Sequence, residues 1–451
     1  MITTIVQLSV LFAAGLLLLY AAWHRPGWVV FFAISVAALL DLLQIGTDGV
    51  NLGVTLYIDD AASVISLGTG LLILKKYPKS FPRDAIPCLV LLGLVVLSAG
   101  RGASAFGLKA AGNGVRDLFY FVTSALAIML LRPAFRLDAI RLARWVVWAG
   151  FCLSGIALLR WGGVLPIPVN PFQDDFREVV RAIGADYAFI VGLAFIASIH
   201  FSLVERRNGL WWMGAAMLGA VVLALQHRSV WVATLAGLAW LVFRAAPLSP
   251  KRLLAFGATA GIALCVILIA APRVLNSATE LATVNVEEAE SENSTWEWRV
   301  TGYEEATARL LDSGLGDVLI GPPAGWAADL ALENDASAII HSRYIGTLAF
   351  YGVVGFAVLL VWFGVLARRV GWPAKPSRST PASGHAGTTV LEALLLSELV
   401  YLGPYVGGIL EGAVLGLIWV AATQSDAWIG VGQVNVTHRQ FDAKKLATLP
   451  S

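Results

Sequence analysis

Long apolar runs alternate with short polar stretches along almost the entire chain. A helix that crosses a bilayer needs about 20 mostly apolar residues. Windows of that length predict thirteen helices, near 3–23, 27–46, 57–74, 86–100, 115–131, 142–160, 183–203, 209–226, 229–243, 253–271, 341–367, 388–403 and 405–423. The pattern therefore indicates an all-α, polytopic membrane helical bundle of about 12–13 transmembrane helices with one large outer loop.

The apolar runs divide the chain into four expected regions. These are N-terminal transmembrane helices 1–10 in residues 1–271, an outer loop with short helices at 272–340, C-terminal transmembrane helices at 341–425 and a cytoplasmic tail at 426–451. The first run has neither a basic leader nor a clear cleavage site, so we expect a true membrane helix there. A stretch rich in Pro, Ser and Gly at 371–388 is expected to be a flexible inner linker.

Composition agrees with a membrane protein. Of the 451 residues, 58% are hydrophobic and 14% charged, and the chain contains 44 Gly and 16 Trp. Gly is frequent in membrane helices, and Trp marks their interfaces. The net charge of +2 and the lack of a basic tract argue against a nucleic-acid partner. Cys88, Cys152 and Cys265 fall in apolar runs, so we expect small hydrophobic residues there rather than a disulfide framework.

The basic residues orient the helices. If the cluster at 75–83 faces the cytoplasm, alternation places 21 of the 32 Lys and Arg residues inside, in agreement with the positive-inside rule, and the N-terminus outside. The eleven basic residues left outside are Arg101, Lys109, Arg116, Arg160, Arg177, Arg181, Arg228, Arg273, Arg299, Arg309 and Arg343. Ten of them are Arg, which suits bidentate phosphate recognition, so we expect a functional cluster.

Two predicted helix starts on the outer side carry basic residues. Arg228 stands at the start of one apolar run, and His341 and Arg343 stand at the start of another. A helix start already has partial positive charge and free backbone N–H groups. Arg and His added there would make an anion site at the lipid surface, and a lipid-linked diphosphate is the expected ligand.

Several motifs follow one another in this half of the chain. His341-Ser342 is followed after nine residues by Gly352-x-x-Gly355, and the other helix begins Arg228-Ser-x-Trp-x-Ala. Trp298-Arg299 precedes Glu305, and the run 319–325 reads Leu-Ile-Gly-Pro-Pro-Ala-Gly. Over about residues 210–370 this combination resembles the O-antigen polymerase/ligase superfamily. Ala357 departs from that family's usual Thr or Ile, and the Glu that often precedes the first Gly is absent.

The resemblance implies a GT-C-like glycosyltransferase in the bacterial inner membrane with its active site facing the periplasm. Such proteins move a glycan from an undecaprenyl-diphosphate-linked oligosaccharide donor to an acceptor glycan. The Glu-Trp-Arg and Ile-Gly-Pro-Pro-Ala-Gly segments favour a polymerase that extends a lipid-linked chain. A ligase that transfers the glycan to lipid A–core is the alternative.

The residues suggest roles in such a transfer. Arg228, Arg299 and Arg343 would stabilise the charge of the departing diphosphate. His341 would accept the proton of the attacking hydroxyl or orient it, and attack opposite the diphosphate predicts inversion. Further residues are expected to assist, namely Arg116 and Arg181 for the diphosphate, and Trp296 and Trp298 for stacking on sugars or resting at the membrane interface.

Two alternatives concern the acidic residues. Outer carboxylates at Asp59-Asp60 and Asp174-Asp175 would suit a divalent cation, but their spacing is not that of a metal site, so we expect no metal and no other cofactor. Asp41, Glu398 and Glu411 fall within apolar runs, where ionisable residues often mark a transport path. Glu398 and Glu411, near Tyr401, Pro404 and Tyr405, would belong either to a polysaccharide or lipid transporter (flippase) or to an acceptor-side wall.

Overall fold

The computed structural model of the chain describes residues 20–45, 50–51, 55–167, 181–205, 209–244, 295–326, 342–372 and 382–425. These residues are mostly helical. The helices are α1 (Pro26–Leu42), α2 (Ile58–Lys76), α3 (Ile86–Leu130), α4 (Ala139–Trp161), α5 (Ala185–Val204), α6 (Gly209–Ala224), α7 (Arg228–Arg244), α8 (Thr295–Asp312), α9 (Leu315–Ile320), α10 (Arg343–Val370), α11 (Ala382–Tyr401) and α12 (Ile409–Ser425). Short 3-10 turns at Pro78–Ser80 and Arg83–Ala85 connect α2 to α3.

The apolar runs predicted within the described residues are helical. Within that part of the chain, four helices are long and apolar enough to cross a membrane: residues 83–130, α4, α5 and α10. Helices α1, α6 and α12 are apolar but shorter. The predicted run at 253–271 and most of the run at 3–23 lie outside the described residues. The helical class expected from the sequence is therefore confirmed, and the four long apolar helices agree with the expected membrane protein.

Helix α3 is a hairpin of two arms. A straight helix of its 45 residues would be about 67 Å long, more than twice the thickness of a bilayer core. Gly107, with φ 84° and ψ 164°, interrupts it in a conformation that favours glycine. The Sγ atom of Cys88 lies 4.0 Å from the Sδ atom of Met129, so the arms 86–106 and 108–130 run back along each other. They correspond to the two helices predicted at 86–100 and 115–131.

Helix α5 is the most enclosed of the apolar helices. In its most apolar window 83% of the residues are buried, and it packs against α4, α6, α7 and α11. Its buried residues are almost all apolar, which agrees with a run that is hydrophobic on every side. Asp186, in the first turn of α5, is half-buried at the end of this enclosed helix.

At the end predicted to face the cytoplasm, two ion pairs join segments that are distant in the chain. Glu392 of α11 accepts hydrogen bonds from Arg244 of α7 at 2.7 and 2.8 Å and from Trp240 at 2.9 Å. Asp84 pairs with Arg369 at the end of α10 at 2.5 Å. The first pair joins the end of α7 to α11, and the second joins the end of α10 to the turn before α3.

A turn of five residues, 321–325, enters the α3 hairpin at the opposite end. We call this segment the wedge turn. The Ala324 amide donates to the Ser98 carbonyl at 3.1 Å, and the Arg101 guanidinium donates to the Gly321 carbonyl at 2.7 Å. Gly102 on the first arm and Gly114 on the second leave no room for a side chain beside the turn. The wedge turn thus fixes α8 and α9 to the hairpin.

Helix α10 is also interrupted beside the wedge turn. Gly352 has φ 66° and ψ −171°, and a Cβ atom there would lie 2.5 Å from the Leu319 carbonyl carbon. The Gly352-x-x-Gly355 motif therefore provides a break in the helix and a close approach of two backbones. Ser342 caps the start of α10 by accepting a hydrogen bond from the Ile345 amide at 3.3 Å.

Two features differ from the sequence predictions. Residues Val50–Asn51 and Thr55–Leu56 form a small antiparallel pair of strands, with Val50 opposite Leu56, between the helices predicted at 27–46 and 57–74. Helix α11 begins at Ala382, so the last part of the predicted linker at 371–388 is helical. Buried Gly387 packs near Ala139, and this tertiary contact outweighs the weak helix propensity of the Gly- and Ser-rich stretch.

Candidate functional site

A cavity of about 330 Å³ opens among helix ends on the side predicted to face outward. It lies where α1 ends and where α2, α5 and α12 begin, beside the second arm of α3 and the segment 405–411. Its ionisable and aromatic lining consists of Asp41, Asp59, Asp117, Asp186, Glu411, Tyr120, Tyr187 and Tyr405. This cavity is therefore acidic, whereas the sequence predicts a cationic site.

Helix starts position three of these carboxylates. Asp59, Asp186 and Glu411 each lie in the first turn of a helix, in α2, α5 and α12 respectively. Carboxylates are stabilised there by the positive end of the helix dipole and by unsatisfied backbone N–H groups. The Glu411 carboxylate illustrates this, since its Oε2 accepts from the Gly408 amide at 2.6 Å.

Tyrosines hold other carboxylates in fixed orientations. The Tyr401 hydroxyl donates to Asp186 Oδ1 at 2.6 Å, and the Tyr187 hydroxyl lies 2.7 Å from Asp41 Oδ2. The Tyr401 ring stacks between two others, with centroid distances of 4.1 Å to Phe189 and 4.8 Å to Tyr405. Tyr405, which lines the cavity, is therefore supported by a rigid aromatic stack whose Tyr401 also fixes Asp186.

Arg343 lies next to the cavity and is buried, with 2% of the residue exposed. Its guanidinium donates to the Gly407 carbonyl at 2.5 Å and the Asp117 carbonyl at 3.2 Å, and it lies 4.5 Å from the Phe121 ring centroid. Its backbone amide is 3.0 Å from the carbonyls of Leu402 and Tyr405. In this geometry Arg343 holds two cavity-lining backbone segments in place, and diphosphate binding by it stays a prediction.

Arg116 is similarly engaged. Its guanidinium pairs with Asp60 at 3.2 Å, donates to the Asn113 side chain and the Thr55 carbonyl, and lies 4.6 Å from the Tyr57 ring centroid. These contacts fix the strand pair and the first turn of α2 to the second arm of α3. The sequence predicts Arg116 in the diphosphate site, a role that these contacts do not test.

The other predicted helix start lies beside the first turn of α5. Arg228 is the first residue of α7 and is exposed. His227 is buried, and its Nε2 atom lies 3.0 Å from the Ile183 carbonyl, three residues before Asp186. Burial, reinforced by the charge of Arg181, lowers the pKa of His227 to about 4, so this imidazole is neutral at neutral pH. The segment 181–186 thus connects the start of α7 to the cavity.

Four predicted site residues lie outside the described side chains. His341 lies outside the described residues, one position before the Ser342 cap. Trp296, Trp298 and Arg299 belong to the first turns of α8, where the description covers the backbone alone. Their predicted roles therefore remain predictions.

The sequence identifies part of the cavity and misses the rest. It points to Asp41, Asp59, Glu411 and Tyr405 only as members of alternative metal or transport sites. It gives no such role to Asp117 and Asp186, although Asp186 is an acid at the start of an apolar run, a signal for the first turn of a helix. Among the described residues, no three His, Cys, Asp or Glu side chains are grouped so as to hold a metal ion.

Comparison with known proteins adds no assignment. No protein-family model matches the chain, and no curated protein matches it significantly.

Proposed function

We propose that the chain is a polytopic, GT-C-like membrane glycosyltransferase that moves a glycan from undecaprenyl diphosphate to an acceptor sugar on the outer face of the bacterial inner membrane. The observation that supports this most is the junction of the cavity with the start of α10. Arg343, two residues after His341, binds carbonyl groups of the cavity-lining residues Asp117 and Gly407. The motif that resembles the polymerase/ligase superfamily therefore adjoins a cavity suited to a polyhydroxylated ligand.

The chemistry of the lining fits a sugar. Carboxylate oxygens accept hydrogen bonds from hydroxyl groups, and tyrosine rings offer flat apolar faces for stacking. Asp186 and Glu411 would bind hydroxyls of the acceptor, which assigns the cavity to the acceptor side. The diphosphate of the donor would lie nearer the positive start of α7 at Arg228, with Arg299 from α8.

In the proposed step an acceptor hydroxyl oxygen bonds to the anomeric carbon of the donor. The bond from that carbon to the diphosphate oxygen breaks, and the lipid diphosphate leaves with the electron pair. The hydroxyl proton passes to His341, and direct attack inverts the anomeric carbon. Arg343 is a positioning residue in this scheme, because its Nη2 atom holds the carbonyls of the cavity-lining residues Asp117 and Gly407.

The test is a transfer assay with purified protein and lipid-linked oligosaccharide repeat units. We expect longer lipid-linked chains without added lipid A–core, and strong loss of product in Arg228→Ala and His341→Ala. Asp312→Asn, an exposed carboxylate at the end of α8, is the matched control and should retain activity. Product that forms only with lipid A–core would indicate the ligase instead. Full activity in both Ala variants would exclude the scheme.

A second candidate function is transport of a polysaccharide or lipid, and one observation favours it. Glu398 in α11 is fully buried, and neither carboxylate oxygen has a hydrogen-bond partner among the described residues. Unpaired buried acids within membrane helices commonly mark proton or ion pathways. Movement of labelled lipid-linked glycan across sealed vesicles without formation of a glycosidic bond, and its loss in Glu398→Gln, would support transport over transfer.

A further inference from the structure

The acidic cavity has a marked charge imbalance. Among the residues that the structure describes, five carboxylates line it, and none of these lining residues is Lys, Arg or His. Arg343 lies beside it, and its Nη2 atom donates to the Gly407 and Asp117 carbonyls. Its single positive charge does not balance five carboxylates, and Arg116 pairs with Asp60, which is not among these lining residues. Several carboxylates in a partly enclosed space repel one another and lose hydration, so they require a positive partner or protons.

In the part of the chain that the structure describes, Glu411 lacks a hydrogen-bond donor on one of its carboxylate oxygens. The residue is 2% exposed, and it lines the cavity. Its Oε2 accepts the Gly408 amide, but its buried Oε1 has no hydrogen-bond partner within the described residues. A buried carboxylate oxygen left without a donor is costly, so this atom is a ready acceptor for a donor supplied by a ligand.

The arrangement of the acids selects the kind of cation. They do not form a group that could hold a metal ion, and they are distributed around a volume of about 330 Å³. Such a space fits a cationic group carried on an organic molecule of several atoms. An ammonium group donates three hydrogen bonds and is attracted to aromatic faces. The carboxylates of Asp186 and Glu411 and the ring of Tyr405 offer these partners.

We propose that this cavity binds a ligand through a protonated primary amine, held by Glu411 and Asp186 against Tyr405. That the amine belongs to a sugar rests on the proposed function, under which the glycan being transferred or extended contains an amino sugar with a free amine. The amine site itself rests on the lining of the cavity alone.

The experiment measures binding of three trisaccharides to the full-length protein in lipid nanodiscs, by calorimetry, at a pH where the amine is protonated. The probes are a glucosamine trisaccharide, its fully N-acetylated form and a glucose trisaccharide. We expect the amine form to bind at least about tenfold more tightly than the other two, the ratio that one charge-assisted hydrogen bond provides.

Variants locate the site. Glu411→Gln and Asp186→Asn keep an oxygen for the Gly408 amide and the Tyr401 hydroxyl, so both should fold, as checked by size-exclusion chromatography. We expect each variant to lose the preference for the amine, and Asp312→Asn to retain it. Equal affinity for the amine and N-acetylated forms, or a preference unchanged in both cavity variants, would overturn the proposal. The assay requires no transfer, so amine binding without transfer would count against the proposed function only.

Discussion

Replacing Gly102 by alanine tests how the wedge turn is seated in the α3 hairpin. A Cβ atom at position 102 would lie 2.8 Å from the carbonyl carbon and 2.9 Å from the amide nitrogen of Ala324, and closer still to its carbonyl oxygen. All three are backbone atoms and cannot rotate away. Gly100, on the same arm, provides a matched control, because a methyl group added there would have no neighbouring atom within 4 Å.

The expected loss of stability in Gly102→Ala follows from the contacts that the added methyl group would displace. Three hydrogen bonds hold the turn: the Ala324 amide to the Ser98 carbonyl, the Ser98 hydroxyl to the Pro322 carbonyl, and Arg101 to the Gly321 carbonyl. At about 1 kcal/mol each, detachment of the turn costs about 3 kcal/mol. Alanine is favoured over glycine in a helix by about 1 kcal/mol. We therefore expect a net loss of about 2 kcal/mol in the free energy of unfolding for Gly102→Ala.

Denaturant unfolding in detergent, followed by the fluorescence of the 16 tryptophans, measures this difference. Gly100→Ala should be as stable as the natural protein or up to about 1 kcal/mol more stable. Limited proteolysis should cleave near the wedge turn faster in Gly102→Ala than in Gly100→Ala. If the two variants unfold with the same free energy, the close approach of the turn to the hairpin is refuted.

Three further predictions concern other parts of the chain. Arg244→Ala should lower the free energy of unfolding by about 3–5 kcal/mol, because it leaves buried Glu392 without its cation. The same denaturant unfolding measures this loss, and a loss below about 1 kcal/mol would contradict a buried pair. The pKa of His227 is lowered from 6.5 to about 4 in the folded protein. Between pH 4 and 6.5 the folded state therefore binds fewer protons than the unfolded state, so the free energy of unfolding should fall as the pH drops from about 6.5 to 4. His227→Gln should flatten this pH profile whereas the exposed control His24→Gln should not, and equal profiles would argue against the shift. In a variant without native cysteines, Arg228→Cys should react with a membrane-impermeant maleimide from the periplasmic side, and labelling only from the cytoplasmic side would reverse the proposed topology.

The sequence predicts the helices well because their cause is local. A run of about 20 apolar residues specifies a helix in a membrane wherever it occurs. Even the division of α3 into two arms is visible in the sequence, since the polar and Gly-rich stretch around Gly107 separates two apolar runs. The sequence predicts the start of α11 too late, because contact with α4 stabilises a stretch whose own composition favours a linker.

The charge of the cavity on the predicted outer side could not be predicted from local sequence. The sequence places ten arginines on the predicted outer side, but three of them have partners that are distant in the chain. Arg116 pairs with Asp60, Arg101 with Asp317, and Arg343 with carbonyl groups at positions 117 and 407. The charges of Arg101 and Arg116 are therefore balanced by carboxylates, whereas Arg343 keeps its positive charge beside the cavity.

The sequence alone thus determined a helical membrane protein, the positions of most described helices and the helix starts that meet at one end. Only the tertiary structure decided that the cavity at that end is lined by carboxylates and tyrosines. The physical reason is that apolar periodicity acts over a single helix, whereas Asp41, Asp117, Asp186 and Glu411 come together only when four separate helical segments pack. Their shared electrostatic environment is a property of that packing and of no single segment.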